Sequence, residues 1–168
     1  MKYFSISSNL RGIEIKPVEE TEIYPCEQPE YFRNKKFKIY NRKWVPDIFG
    51  MNCIGYHVVS EKFKNVLEEH GFTGYKLIPI SIEGLPGTYY IFTETNVAKN
   101  LTPPDEDLDL YVSLKDLQKA DVSRVDKTRV MVINENVLKA LKKAKIKNLW
   151  IEYFDNLSEE VAMKKFYQ

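Results

Sequence analysis

The sequence predicts an α+β domain in which a mixed, largely antiparallel sheet carries two strand–helix–strand units with their helices on one face. Two amphipathic helical stretches each follow one β-branched run and precede another, at matching spacing. Gly84-Leu85-Pro86-Gly87 joins two runs of β-branched and aromatic residues, as the turn of an antiparallel hairpin does. A length of 168 residues, 43% of them apolar and 29% charged, suits one domain, 1–168, that closes a core without a disulfide or a metal.

Residues 1–55 alternate short β-like runs, at 3–6, 13–16 and 37–40, with Pro17, Pro25, Pro29 and Pro46. This part reads as strands and long loops. Residues 56–168 hold the two units. In the first, 55–59 is a strand and Ser60 caps a helix with Phe63, Val66, Leu67 and His70 at i, i+3, i+4 and i+7. Gly71 stops that helix, and 75–82 and 88–93 form the two strands of the hairpin. An acidic loop follows from Pro103 to Asp109, and then Ser113 with Asp116 opens a short helix in capping-box fashion.

In the second unit, 129–133 is a strand and Asn134 caps a helix from Glu135 to about Lys145, with Val137, Ala140, Leu141 and Ala144 on one face. Its acidic start and its Lys142, Lys143 and Lys145 end complement the helix dipole. A strand at 149–154 and a terminal helix capped by Ser158 complete the chain. The units align at a constant offset of 74 (132 − 58). This sets Ser60 beside Asn134, Phe63 beside Val137, Val66 beside Ala140, Leu67 beside Leu141, Phe72 beside Ile146, Tyr75 beside Leu149 and Leu77 beside Ile151. The architecture is repeated, although few of the aligned residues are identical.

Composition removes several functions. With 25 basic and 24 acidic residues, the chain has no global attraction for nucleic acid or an anionic membrane. No run of 18 apolar residues occurs, and the first nine residues hold no signal-like apolar stretch, so the expectation is a cytoplasmic chain. Cys26 and Cys53 lack partners at metal spacing and read as reduced thiols, with no metal and no cofactor.

No G-x-S-x-G, H-E-x-x-H, P-loop, dinucleotide glycine fingerprint or C-x-x-C occurs, so no catalytic residue is assigned and a non-enzyme is expected. A general base would have to be His57, His70 or a carboxylate. His57 lies in a strand and His70 on the inner face near a helix end, where structural imidazoles are the commoner case.

Two charged segments are candidate binding surfaces. Residues 31–44 contain six basic side chains and no acid, with five aromatics interleaved. Arg33, Lys35, Lys36, Lys38, Arg42 and Lys43, with Phe32, Phe37 and Trp44 as stacking rings, form the pattern of a small nucleic-acid-binding module. The period-two alternation at 36–40 reads first as a sheet edge with a basic solvated face. The second segment is Asp105, Glu106, Asp107 and Asp109, a carboxylate array suited to a basic cleft on a partner protein.

The stretch Val58-Val59-Ser60-Glu61-Lys62-Phe63, continuing through Leu67-Glu68-Glu69-His70-Gly71-Phe72-Thr73-Gly74-Tyr75 to Pro79-Ile80, resembles the middle of small immunity proteins of bacterial polymorphic-toxin systems. The aromatic strand Tyr89-Tyr90-Ile91-Phe92 follows in the corresponding place, and residues 132–154 resemble that family's C-terminal strand–helix–strand. About 35 residues carry the likeness, most of them in core, cap and turn positions. The resemblance implies a non-enzymatic protein that neutralises a cognate toxin by direct protein–protein binding. It transfers no interface residues. The partner-binding candidates are Asp105, Glu106, Asp107 and Asp109 on one side, and Arg33, Lys35, Lys36 and Trp44 on the other. No membrane partner is implied, and nucleic acid is the alternative reading through 31–44.

Overall fold

The computed structural model describes residues 1–8, 13–19, 28–41, 44–51, 56–102, 110–155 and 157. Eleven strands and three helices occur among them: β1 Tyr3–Ser8, β2 Glu14–Pro17, β3 Lys36–Asn41, β4 Ile48–Gly50, β5 His57–Ser60, α1 Glu61–Glu69, β6 Tyr75–Ile82, β7 Tyr89–Glu94, β8 Val97–Ala98, α2 Leu114–Leu117, β9 Val122–Val125, β10 Met131–Asn134, α3 Glu135–Lys143 and β11 Leu149–Phe154. The class is α+β. The expected terminal helix from Ser158 lies outside the described residues.

The two strand–helix–strand units do not share one sheet. The first belongs to a six-stranded sheet ordered β2-β3-β6-β7-β5-β4, and the second to a five-stranded sheet ordered β11-β1-β10-β9-β8. All pairings are antiparallel except β3 with β6 and β8 with β9. A bridge from Ile15 to Met51 brings β2 against β4, so the six-stranded sheet curls into a nearly closed barrel. Ile15, Phe32, Phe37, Phe49, Val58, Ile78 and Ile91 fill its interior. Strand alternation sends their neighbours Ile48, Val59, Leu77 and Phe92 outward, against the helices.

The helices form one shared layer between the sheets. Phe63, Val66 and Leu67 of α1 and Val137, Ala140 and Leu141 of α3 lie in a single cluster with Ile6, Met131 and Ile133. Phe72, Tyr75, Leu77, Ile146, Leu149 and Ile151 pack against it, so the matched pairs from Phe63 and Val137 to Leu77 and Ile151 belong to one core, whereas Val58 and Val132 lie in separate ones. His70 departs from expectation. It caps the C-terminus of α1 on the surface, where its Nδ1 lies 2.9 Å from the Val66 carbonyl and its ring stacks on Phe72 at 5.4 Å.

The offset governs hydrogen bonding as well as packing. Ile48 pairs with Val59 and Gly50 with His57 in the first unit; Val122 pairs with Ile133 and Arg124 with Met131 in the second. β7 lies between the parallel strands β5 and β6, and β1 lies in the same way between β10 and β11. Tyr89, Phe92 and Glu94 oppose Ser60, His57 and Tyr75, just as Tyr3, Ile6 and Ser8 oppose Asn134, Met131 and Leu149. The chain's first strand thus completes its last unit.

Two aspartates lock the units together reciprocally. Asp47 accepts from the Ser60 hydroxyl, which itself caps α1, at 2.8 Å, and from the Lys147 backbone N–H at 2.9 Å. Asp121, 74 positions later, accepts from the α3 cap Asn134 at 2.7 Å and from the backbone N–H and hydroxyl of Thr73, each at 2.9 Å. Each aspartate therefore joins its own helix cap to the other unit's helix–strand loop. Charge-assisted bonds of this kind are about twice as strong as neutral ones.

Candidate functional site

The basic stretch folds into the barrel wall, and its residues divide by strand parity. Phe37 points inward and, with Phe32 from the turn Pro29–Phe32, is fully buried, so neither ring is placed to stack on a base. β3 is not a sheet edge: β2 and β6 pair with it on either side. Arg33, Lys35 and Lys36 come together around a groove of about 480 Å³ beside Pro17, Glu19 and Tyr31. Trp44, about two-fifths exposed, does not line it.

Most of that charge is locally paired. Arg33 donates to Glu30 at 2.7 and 3.1 Å, Lys76 reaches the same carboxylate at 2.5 Å, and Lys35 reaches Glu19 at 3.0 Å while lying over the Tyr31 ring. The donors on Glu30 hold its carboxyl down at about 2. Asp105, Glu106, Asp107 and Asp109 lie outside the described residues, as do Arg42, Lys43, Cys26 and Cys53.

A larger cleft, about 650 Å³, opens where the two units meet. His57 at the start of β5 and Glu94 at the end of β7 stand on the barrel's outer face. Arg124 of β9 faces them, with Lys127 and Arg129 on the β9–β10 turn. Tyr56 walls one side, and the Arg129 guanidinium lies 5.3 Å from its ring centroid. Hydrogen bonds close the turn: the Thr128 hydroxyl donates to the Val125 carbonyl at 2.9 Å and accepts from the Val130 N–H at 3.1 Å, with Lys127 in the left-handed region at φ 57°.

The electrostatics of the cleft follow from burial. The His57 Nδ1 is closed off from solvent and has no hydrogen-bond partner among the described residues. Desolvation of the imidazolium pushes the His57 pKa down to about 4, so the ring is neutral near pH 7. Burial also raises the Glu94 carboxyl, against the opposing pull of its own backbone N–H and of Arg124 and Arg129. Neither guanidinium forms an ion pair with that carboxylate among the described residues. The groups face one another across open volume, with three cations against one acid.

Of these residues only His57 stood out in the sequence. Glu94 sits in an ordinary hairpin strand. The three cations within Arg124-Val125-Asp126-Lys127-Thr128-Arg129 were the available signal, muted by the interleaved aspartate. No group of three or more metal-ligating side chains occurs among the described residues, and no helix among them is long and apolar enough to cross a membrane. No family model matches the chain, and no curated protein is similar to it.

Proposed function

We propose that the protein neutralises a bacterial toxin by binding it directly, in the cytoplasm and without catalysis of its own. The observation that supports this reading is the run 58–80. Its residues place Ser60 at the cap of α1, Phe63 and Leu67 in the core, and Gly71 and Gly74 at positive-φ turns. A shared run devoted to scaffold, with recognition left to the surface, is what an inhibitor matched to one toxin requires.

Two surfaces are candidates for the toxin-binding face. The first is the groove of Tyr31, Arg33, Lys35 and Lys36, where an exposed aromatic ring adjoins cations, the residue types that dominate binding hot spots. The second is the acidic loop Asp105, Glu106, Asp107 and Asp109, complementary to a toxin that handles nucleic acid through a basic cleft.

Co-expression with the product of the neighbouring gene tests the reading. Rescue from its toxicity and a stable complex on gel filtration are expected; failure of both would discard it. Within a complex, replacing the four loop carboxylates by Asn and Gln separates the surfaces. Slower association with flatter salt dependence places the loop in the interface, and unchanged kinetics move the interface to the Arg33 groove.

A further inference from the structure

The internal repeat supplies a control for the cleft at the junction of the units. At the pseudo-equivalent place on the other side of the helix layer, the registers put Met131 for His57, Ile6 for Phe92, Ser8 for Glu94 and Gly50 for Arg124. Met131, Ile6 and Ser8 belong to β10 and β1, with Met131 and Ile6 buried in the core, and an added Cβ on Gly50 would meet the Ser8 hydroxyl at 3.9 Å. Those places hold apolar and small residues. The same strand pairing therefore forms there without an imidazole, a carboxyl or a guanidinium, and folding does not explain all three of them at the cleft.

We propose that this cleft binds a small phosphate-bearing ligand, its oxyanion held among Arg124, Lys127 and Arg129 and its organic part lying along Tyr56 and Pro29. Guanidinium forks match phosphate oxygens in geometry, and the site is electropositive despite Glu94. The acid has a role in this arrangement. A carboxyl amid three cations repels an oxyanion that carries no proton, but shares a proton with one that does, so Glu94 favours a hydrogen phosphate over sulfate. A neutral His57 near pH 7 adds hydrogen-bonding capacity without further charge. At about 650 Å³ the cleft exceeds a bare phosphate and falls in the range of small-molecule sites.

Calorimetric titration of the full chain at pH 5.5, where phosphate and a phosphate monoester both retain a proton and sulfate does not, is the test, with inorganic phosphate, phenyl phosphate and sulfate as ligands. Saturable phosphate binding is expected, with sulfate at least roughly tenfold weaker. Tighter binding of phenyl phosphate than of phosphate assigns the site to an ester; equal affinity assigns it to the free ion. Arg124→Gln should weaken phosphate at least roughly tenfold, and Glu94→Gln, which replaces the shared proton by an amide donor, should remove the discrimination against sulfate. Lys127→Gln and Arg129→Gln, at exposed positions on the turn, carry the same test if R124Q fails to fold. No saturable binding up to about 10 mM, equal affinity for sulfate and phosphate in the wild-type chain, or phosphate affinity unchanged in the folded cation variants would each overturn the proposal.

Discussion

The helix–strand loops of the two units solve one problem in two ways. In both, the residue after the helix cap is left-handed, Gly71 at φ 64° and Lys145 at φ 54°, and so is the third residue beyond it, Gly74 at φ 92° and Asn148 at φ 74°. The closing hydrogen bonds correspond as well: Gly71 to Glu68 and Phe72 to Leu67, against Lys145 to Lys142 and Ile146 to Leu141. The loops differ in how closely they approach the opposite unit. A Cβ on Gly74 would lie 2.0 Å from the Val122 carbonyl oxygen, whereas Asn148 spans to the equivalent carbonyl, of Ile48, with a 2.8 Å bond from its side-chain amide. Contact between the units is thus made by backbone proximity on one side and by a side chain on the other, and equal topology does not give equal tolerance.

The largest expected effect tests the core that both units share. Leu141→Ala and Leu67→Ala, both buried, should each cost roughly 2 to 5 kcal/mol in chemical denaturation. Because the two side chains belong to one cluster, the double variant should depart from additivity; strict additivity would mean that the helices are packed as separate cores.

The loop comparison predicts an asymmetric pair. Gly74→Ala should cost about 3 kcal/mol, combining the penalty of a left-handed non-glycine with a backbone clash. Asn148→Gly should change stability by less than about 1 kcal/mol, since one lost hydrogen bond is offset by relief of its own left-handed strain. Similar melting temperatures for the two variants would break the comparison.

The reciprocal aspartates should respond alike. Asp47→Ala and Asp121→Ala each leave a helix cap and a loop N–H short of an acceptor, at a cost of roughly 1 to 3 kcal/mol. Asp121, with its extra bond from the Thr73 hydroxyl, should be the more sensitive. Hydrogen exchange sharpens the point, because each substitution should raise exchange at the loop of the opposite unit.

A pH dependence separates the cleft from its pseudo-equivalent place. The folded pKa of His57, at about 4, lies below its ordinary value of 6.5, so between those values the unfolded chain binds more protons and stability rises with pH. The contribution is on the order of 3 kcal/mol, present in full above about pH 6.5 and lost as pH falls toward 4. Glu94, raised by burial, acts with the opposite sign. The measurement is therefore the difference between wild type and His57→Gln, which keeps Glu94 in both arms. Parallel stability–pH curves from 4 to 6.5 would show that His57 is not closed off from water.

The sequence by itself determined the pieces that rest on local chemistry. Ser60 and Asn134 cap α1 and α3 as their side chains dictate, Ser113 caps α2 with a bond from the Asp116 N–H, and Gly71 ends α1. The 3.6-residue spacing picked out the buried faces of α1 and α3 with the exception of His70, and the 74-residue offset was legible because apolar period and caps repeat together. Tertiary structure decided the rest. Strands β4, β8 and β9, of three, two and four residues, have no pattern of their own and exist through their partners. Nothing near residue 3 signals that β1 lies between β10 and β11, nor that β2 meets β4 to close a barrel, because pairing over such separations depends on which surfaces remain to be buried. The cleft stayed hidden for the same reason. His57, Glu94 and Arg124 belong to three separate strands, and only the docking of one unit on the other sets them around a common volume.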